Sequence, residues 1–111
     1  LVYFSTGNLL SAMDFSHNAR YRDGILARIT IQRDAEGETT VTRGEYIPLY
    51  CSRWLTGERR HYQIVPVRQA LSDPSAYHVS AGDLENSLRN TLSILSSYAG
   101  TERVPVAEAT P

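Results

Sequence analysis

The 111-residue sequence contains a single cysteine, Cys51. One cysteine excludes an internal disulfide framework and a thiolate-rich zinc site, because both require more than one thiol. Cys51 stands between Tyr50 and Ser52 in a stretch typical of a strand, with no adjacent histidine or basic residue to activate it. We interpret it as a half-buried structural thiol. A lone cysteine fits the cytoplasm and fits equally an exported protein without disulfides.

The sequence also lacks a charge excess and a long apolar run. Eleven basic and twelve acidic side chains give a formal net charge of −1, which provides no electrostatic footprint for nucleic acid or an anionic membrane surface. The short basic clusters at 20–22 and 59–61 are typical of solvated loops. No apolar run reaches the roughly 18 to 20 residues that cross a bilayer. We therefore predict no nucleic-acid partner and no membrane span within this segment.

One domain is expected, and the numbering is expected to begin inside a longer gene product. A chain of 111 residues suits a single hydrophobic core. The first residue is Leu1 rather than methionine, and residues 1–4 have the character of a strand already under way. Prolines, glutamates and small side chains predict a flexible tail at 101–111.

A β-hairpin is predicted in the first half of the chain. Between residues 24 and 33, apolar and polar side chains alternate with a period of two, which indicates a half-buried strand. A polar stretch with Gly37, a residue suited to positive φ, separates it from β-forming residues beginning at Thr39. The second strand is expected to reach residue 51, with a bulge or a sheet edge where Gly44 and Pro48 interrupt it.

The second half predicts a loop, a further strand and a helix. Residues 52–60 are interpreted as a loop, residues 61–68 as a strand and residues 69–77 as a shorter helical turn. Ser80 and Asp83 match a capping box, and leucines then recur at helical spacing, which predicts a helix over 81–99 that packs on the sheet. The predicted fold class is α+β, with a mainly antiparallel sheet of about four strands and this C-terminal helix.

The hexapeptide Phe4-Ser5-Thr6-Gly7-Asn8-Leu9 is the most distinctive motif. It resembles the Tyr-Ser-Leu-Gly-Asn-Phe signature of the CapA-like capsule and poly-gamma-glutamate biosynthesis family, with Ser5, Gly7 and Asn8 matching and the other three positions departing. The order of the later elements is also similar: a strand after Gly24, a partner strand with the step Tyr46-Ile47-Pro48, a strand at 62–67 and a closing helix. The resemblance covers residues 1–100.

This family resemblance implies a fragment of a metallophosphatase-like α/β sandwich. The metal-binding motifs of the family precede the signature, so this segment is expected to bind no cofactor, whereas a divalent metal such as Mn²⁺ is implied for the whole protein. Asn8, supported by Ser5, is the implied catalytic group. Gly7, together with His17 and Arg20 in the polar stretch that follows, is assigned to substrate binding. No metal ligand is assigned here.

The sequence therefore supports two candidate functions. The first is the C-terminal part of a metal-dependent phosphoesterase-like enzyme at the bacterial cell surface, whose partner is its own upstream catalytic part. The second is a non-catalytic binding domain of a bacterial surface protein that uses exposed aromatic residues such as Tyr50, Trp54 and Tyr62. In either case an exposed sheet edge is expected to favour homo-oligomers. A local Asx turn at Asn8 is the structural alternative to a catalytic role.

Overall fold

A computed structural model of the chain describes residues 19–97 and 106–110, with side chains described from residue 21 onward. A 3₁₀ turn, Ala19–Arg22, leads directly into the sheet. The remaining elements, in chain order, are β1 Asp23–Arg33, β2 Thr39–Thr56, β3 Arg59–Pro66, α1 Val67–Ala70, a 3₁₀ turn Pro74–Tyr77, α2 Ala81–Ser96 and β4 Val106–Glu108.

The 18-residue strand β2 is the centre of a four-stranded sheet. β1 pairs antiparallel with one side of β2. On the other side, β4 pairs in parallel with Gly44 to Tyr46, and β3 pairs antiparallel from Leu49 onward. The predicted fold class is confirmed: the protein is α+β, with a mainly antiparallel sheet and a helix packed on it.

The β1–β2 hairpin forms where the sequence predicts it. Gly37 adopts φ 84° in the connecting turn, a conformation in which a side chain is strained. The Asp34 side chain accepts a hydrogen bond from the Glu38 backbone amide at 2.8 Å, which closes the turn. The register shifts between Thr30 and Ile31, and this irregularity leaves Thr42 of β2 without an opposite residue.

Two expectations about β2 are wrong. Pro48 does not mark a sheet edge: it lies opposite Ile25 and is fully buried. A proline is accommodated there because no described residue pairs with the other side of β2 between Tyr46, where β4 stops, and Leu49, where β3 begins. Residues 52–60 are not a loop either. β2 continues to Thr56, and the two residues Gly57 and Glu58 form the turn into β3, with Gly57 at φ 61°.

The helix α2 begins as the capping box predicts. Ser80 precedes it in an extended conformation and accepts a hydrogen bond from the Asp83 amide at 3.1 Å. The core joins the helix to one face of the sheet through a buried cluster consisting of Tyr50, Val65, Val67, Ala70, Leu84 and Leu88. Of the predicted helix 81–99, the described part ends at Ser96.

The segment expected to be a flexible tail contains a strand. β4 continues its hydrogen bonding beyond Glu108, because the Ala109 amide donates to the Tyr46 carbonyl oxygen at 2.9 Å. Arg68, which follows β3, forms two hydrogen bonds with the Glu108 carboxylate at 2.8 and 3.0 Å. The composition of the tail predicted no order, but the unpaired side of β2 supplies backbone partners that composition does not reveal.

Candidate functional site

The residues assigned to a catalytic or substrate-binding role lie almost entirely outside the part of the chain that the structure describes. Ser5, Gly7, Asn8 and His17 precede residue 19. The backbone of Arg20 belongs to the 3₁₀ turn Ala19–Arg22, but its side chain is not described. The roles assigned to these five residues remain predictions.

A stack of three aromatic rings is the most distinctive side-chain arrangement in the described residues. The indole of Trp54 stacks with two imidazoles: the His78 ring centroid is 4.1 Å away with planes inclined by 10°, and the His61 centroid is 5.1 Å away with planes inclined by 12°. Trp54 and His61 are directly opposite each other in the β2–β3 hairpin, which accounts for their contact. We call Trp54, His61 and His78 the ring stack.

The third ring is positioned by the segment that precedes α2. Asp73 accepts a hydrogen bond from the Ala76 amide and caps the turn begun by Pro74. His78 follows this turn in the left-handed conformation, at φ 54°. The Ser52 hydroxyl, which is fully buried on β2, lies 2.8 Å from the Tyr77 carbonyl oxygen and 3.1 Å from that of His78. This buried hydrogen bonding attaches the segment at residues 77–78 to the sheet and positions the His78 imidazole against the Trp54 indole.

The ring stack is partly open to solvent and has cationic neighbours. Trp54 and His61 are half-buried, whereas His78 is exposed. Arg59 lies two residues before His61 on the same strand, so its side chain is on the same face of the sheet. Planar rings beside a guanidinium can bind a flat or anionic group through stacking and charge. Within the ring stack, Nε2 of His61 is buried and has no hydrogen-bond partner among the described residues.

Sequence patterns did not predict this stack. His61 and His78 lie far apart in the sequence, and no spacing pattern groups them with each other or with Trp54. Trp54 and His61 are, however, placed symmetrically about the turn at Gly57 and Glu58, so recognition of that turn would have predicted their contact. The proximity of His78 depends on tertiary packing and has no sequence signal.

Tyr50 is not part of an exposed aromatic surface, contrary to the expectation from sequence. Only 5% of it is exposed, and it belongs to the core cluster. Burial raises the pKa of its hydroxyl, while a hydrogen bond with Arg22 acts in the opposite direction. Trp54 and Tyr62 are half-buried, so they retain accessible surface.

A buried carboxylate lies on the opposite face of β2. Glu45 is 5% exposed and accepts a hydrogen bond from Nε of Arg28 at 2.7 Å, while Nη2 of Arg43 lies 2.9 Å from its other oxygen. The hydrogen bond with Arg28 is the largest influence on Glu45 and lowers the pKa of its carboxyl. The same contact raises the pKa of Arg28. A carboxylate held in this ionised form is suited to structural pairing.

Neither a metal centre nor a membrane helix is found in residues 19–97 and 106–110. No three His, Cys, Asp or Glu side chains in these ranges come together in a way that could hold a metal ion. No helix in the same ranges combines the length and the apolar character needed to cross a bilayer.

Comparison of the chain with protein-family models, curated proteins and solved structures finds no match. Similarity to the CapA-like family therefore depends on the residues of the hexapeptide and on the order of the elements that follow it. What the structure itself establishes is the α+β fold class.

Proposed function

We propose that this chain is the C-terminal segment of a CapA-like, metallophosphatase-like protein that takes part in making a bacterial anionic surface polymer. The observation that carries the proposal is the hexapeptide at residues 4–9, in which Ser5, Gly7 and Asn8 match the family signature. In this proposal the remainder of the active site belongs to an upstream part of the same protein, which is also the principal partner of this segment.

The order of the described elements supports the proposal. β1 includes Gly24 and the residues that follow it, β2 contains the step Tyr46-Ile47-Pro48, β3 covers the stretch from Tyr62, and α2 closes the segment. This is the succession that the resemblance implies. Each element would pack against the same core in a longer protein, because the core cluster joins the sheet to α2 within this segment.

The proposed chemistry is hydrolysis of a phosphoester. A divalent metal bound by the upstream part would activate the attacking water. Asn8 would donate its side-chain amide to a phosphate oxygen or to that water, and Ser5 would hold Asn8 in place through a hydrogen bond. Gly7 would permit a sharp turn that aims both groups, while His17 and Arg20 would contact the anionic substrate.

The test compares the full-length gene product with its Asn8→Ala variant in phosphodiesterase and phosphomonoesterase assays with added Mn²⁺. Loss of one donor to a developing charge is expected to reduce kcat by about a hundredfold or more. Asn86→Ala, an exposed asparagine of α2, is the matched control and should retain activity. A full-length protein that is active but unaffected by Asn8→Ala would contradict the assignment of Asn8.

A non-catalytic binding domain is the second candidate, and the ring stack favours it. The accessible indole, the exposed imidazole of His78 and the neighbouring Arg59 form a surface suited to an anionic polymer. Because Trp54 is the only tryptophan, its fluorescence reports directly on this surface. Titration of the chain with poly-gamma-glutamate should change the emission of the wild type. An Arg59→Gln variant should bind more weakly, and absence of any change would oppose this candidate.

A further inference from the structure

The β1–β2 hairpin extends beyond the core as a ribbon with two open faces. Residues 28–33 of β1 are all exposed, and so are Thr39, Thr40 and Arg43 opposite them on β2, whereas Val41 is half-buried and Gly44 and Glu45, at the base of the hairpin, are buried. We call residues 28–33 and 39–43 the distal ribbon. Ile29 is 46% exposed and Ile31 is 61% exposed, and both point to the face of the sheet that carries the core. The distal ribbon therefore presents apolar side chains that the described part of the chain leaves exposed.

The outer edge of β1 is a template for another strand. Within the described residues, β1 pairs only with β2, so half of its backbone donors and acceptors face outward. Proteins usually blunt such edges with lysine, proline or a bulge. Residues 26–33 contain neither lysine nor proline, and the irregularity of the hairpin falls on β2. Arg28 is held against Glu45 of the neighbouring strand, which draws its charge away from the outer edge.

We propose that β1 pairs antiparallel with β1 of a second copy of this chain, about a two-fold axis at Thr30. In this register Ile29 lies opposite Ile31 of the second copy, and Ile31 opposite its Ile29, so the exposed apolar side chains cover one another. Residues that lie opposite each other in an antiparallel pair share a face, so the two core-bearing faces become continuous. Because the outward-facing groups of β1 are backbone donors and acceptors, the segment that pairs with them is itself a strand.

Charge supports a second copy as that strand. With Thr30 at the axis, Arg28 lies opposite the uncharged Gln32 of the second copy, so no like charges face each other across the edge. Arg33 lies opposite Ala27. Moving the two-fold axis by two residues, from Thr30 to Arg28, would place Arg28 opposite its own copy, which is destabilising. The pattern is therefore self-complementary, as a symmetric dimer requires.

The proposed contact between the two copies is small, so we expect weak dimerisation. Seven residues of each copy, 27–33, are paired, and they bury an area at or below the lower end of specific interfaces, roughly 1,200 Å² in total. We therefore expect a dimer with a dissociation constant in the micromolar range or weaker, in rapid exchange with the monomer.

Sedimentation velocity of the 111-residue chain over a concentration series tests the proposal. The wild type should shift from monomer to dimer, and Ile31→Lys should weaken dimerisation at least tenfold. Leu55→Lys is the matched control, because Leu55 is 64% exposed at the other end of β2. Circular dichroism checks that both variants fold. A wild type that stays monomeric to millimolar concentration would overturn the proposal, as would equal weakening by the control.

A cross-linking experiment tests the register. In a Cys51→Ala background, Thr30→Cys places two cysteines directly opposite each other at the axis, with Cα atoms about 5 Å apart, a separation that a disulfide spans. Oxidation should cross-link this variant and leave a Thr40→Cys variant monomeric. A dimer that fails to cross-link at Thr30, or that links equally through Thr40, would overturn the proposal. Neither experiment measures hydrolysis, so the result is independent of the proposed function.

Discussion

The indole of Trp54 and the imidazole of His78 stack with their ring centroids 4.1 Å apart, although 24 residues separate them in the sequence. The contact joins β2 to the segment that precedes α2, at the end of the sheet opposite the distal ribbon. His61 also stacks with this indole. Trp54 is therefore a structural link between the β2–β3 hairpin and the helical part of the domain.

Replacing Trp54 by leucine should destabilise the domain. The change removes two ring contacts and part of a half-buried side chain, so we expect the free energy of unfolding to fall by about 1–3 kcal/mol. Urea unfolding followed by circular dichroism measures this value. Leu55→Ala, at the adjacent exposed position, should change the free energy of unfolding by less than about 0.5 kcal/mol. If both variants lose the same stability, the ring stack makes no particular contribution.

Replacing Glu45 by glutamine should destabilise the domain in a pH-dependent way. Because its arginine partners lower the folded-state pKa of Glu45 below the ordinary 4.5, the stabilisation is present above that pH. It is lost as the pH falls through the lowered value, since a protonated Glu45 resembles glutamine. Unfolding midpoints in urea should therefore differ most near pH 7 and converge in acid. Glu85→Gln, on the exposed face of α2, should show no such convergence, and a gap that persists in acid would contradict the mechanism.

Local signals in the sequence predicted the parts of the fold that depend on neighbouring residues. The alternation in β1, the turn at Gly37 and the cap at Ser80 each involve contacts within a few positions. Prediction failed where a distant partner decides the outcome. Pro48 is tolerated in a central strand because β3 and β4 leave a gap beside it, and β4 exists because β2 offers backbone partners there.

The candidate site residues also divide into those that a local sequence pattern indicates and those that distant contacts bring together. The resemblance at residues 4–9 is a local pattern, and it assigns Ser5, Gly7 and Asn8, which precede the described residues. The ring stack brings together Trp54, His61 and His78 from three separate segments, and no local pattern predicts it. Only the Trp54–His61 half, which crosses a two-residue turn, was within reach of sequence reasoning.

Replacing Ser80 by alanine should weaken the start of α2. The Ser80 hydroxyl accepts the Asp83 amide at 3.1 Å, so its loss leaves a helix-terminal donor without that partner, at a cost of about 1 kcal/mol. Equilibrium unfolding in urea measures the change. Ser93→Ala, within the same helix and exposed, should be neutral or slightly stabilising because alanine favours helices. Equal destabilisation by the two variants would show that the cap is not responsible.

Replacing Glu108 by glutamine should make β4 detach from β2 more often without unfolding the domain. Glu108 raises the pKa of Arg68 through two hydrogen bonds, and this exposed ion pair accompanies only a three-residue strand. Loss of such a pair is expected to shift the local opening equilibrium by roughly two- to fivefold. Hydrogen exchange of the Ala109 amide, which is bonded to the Tyr46 carbonyl, should accelerate by that factor, while amides of β1 keep their rates. Glu58→Gln, in the β2–β3 turn, should leave the Ala109 rate unchanged. If Glu108→Gln accelerates exchange in β1 as strongly as at Ala109, the ion pair stabilises the whole sheet rather than β4 alone.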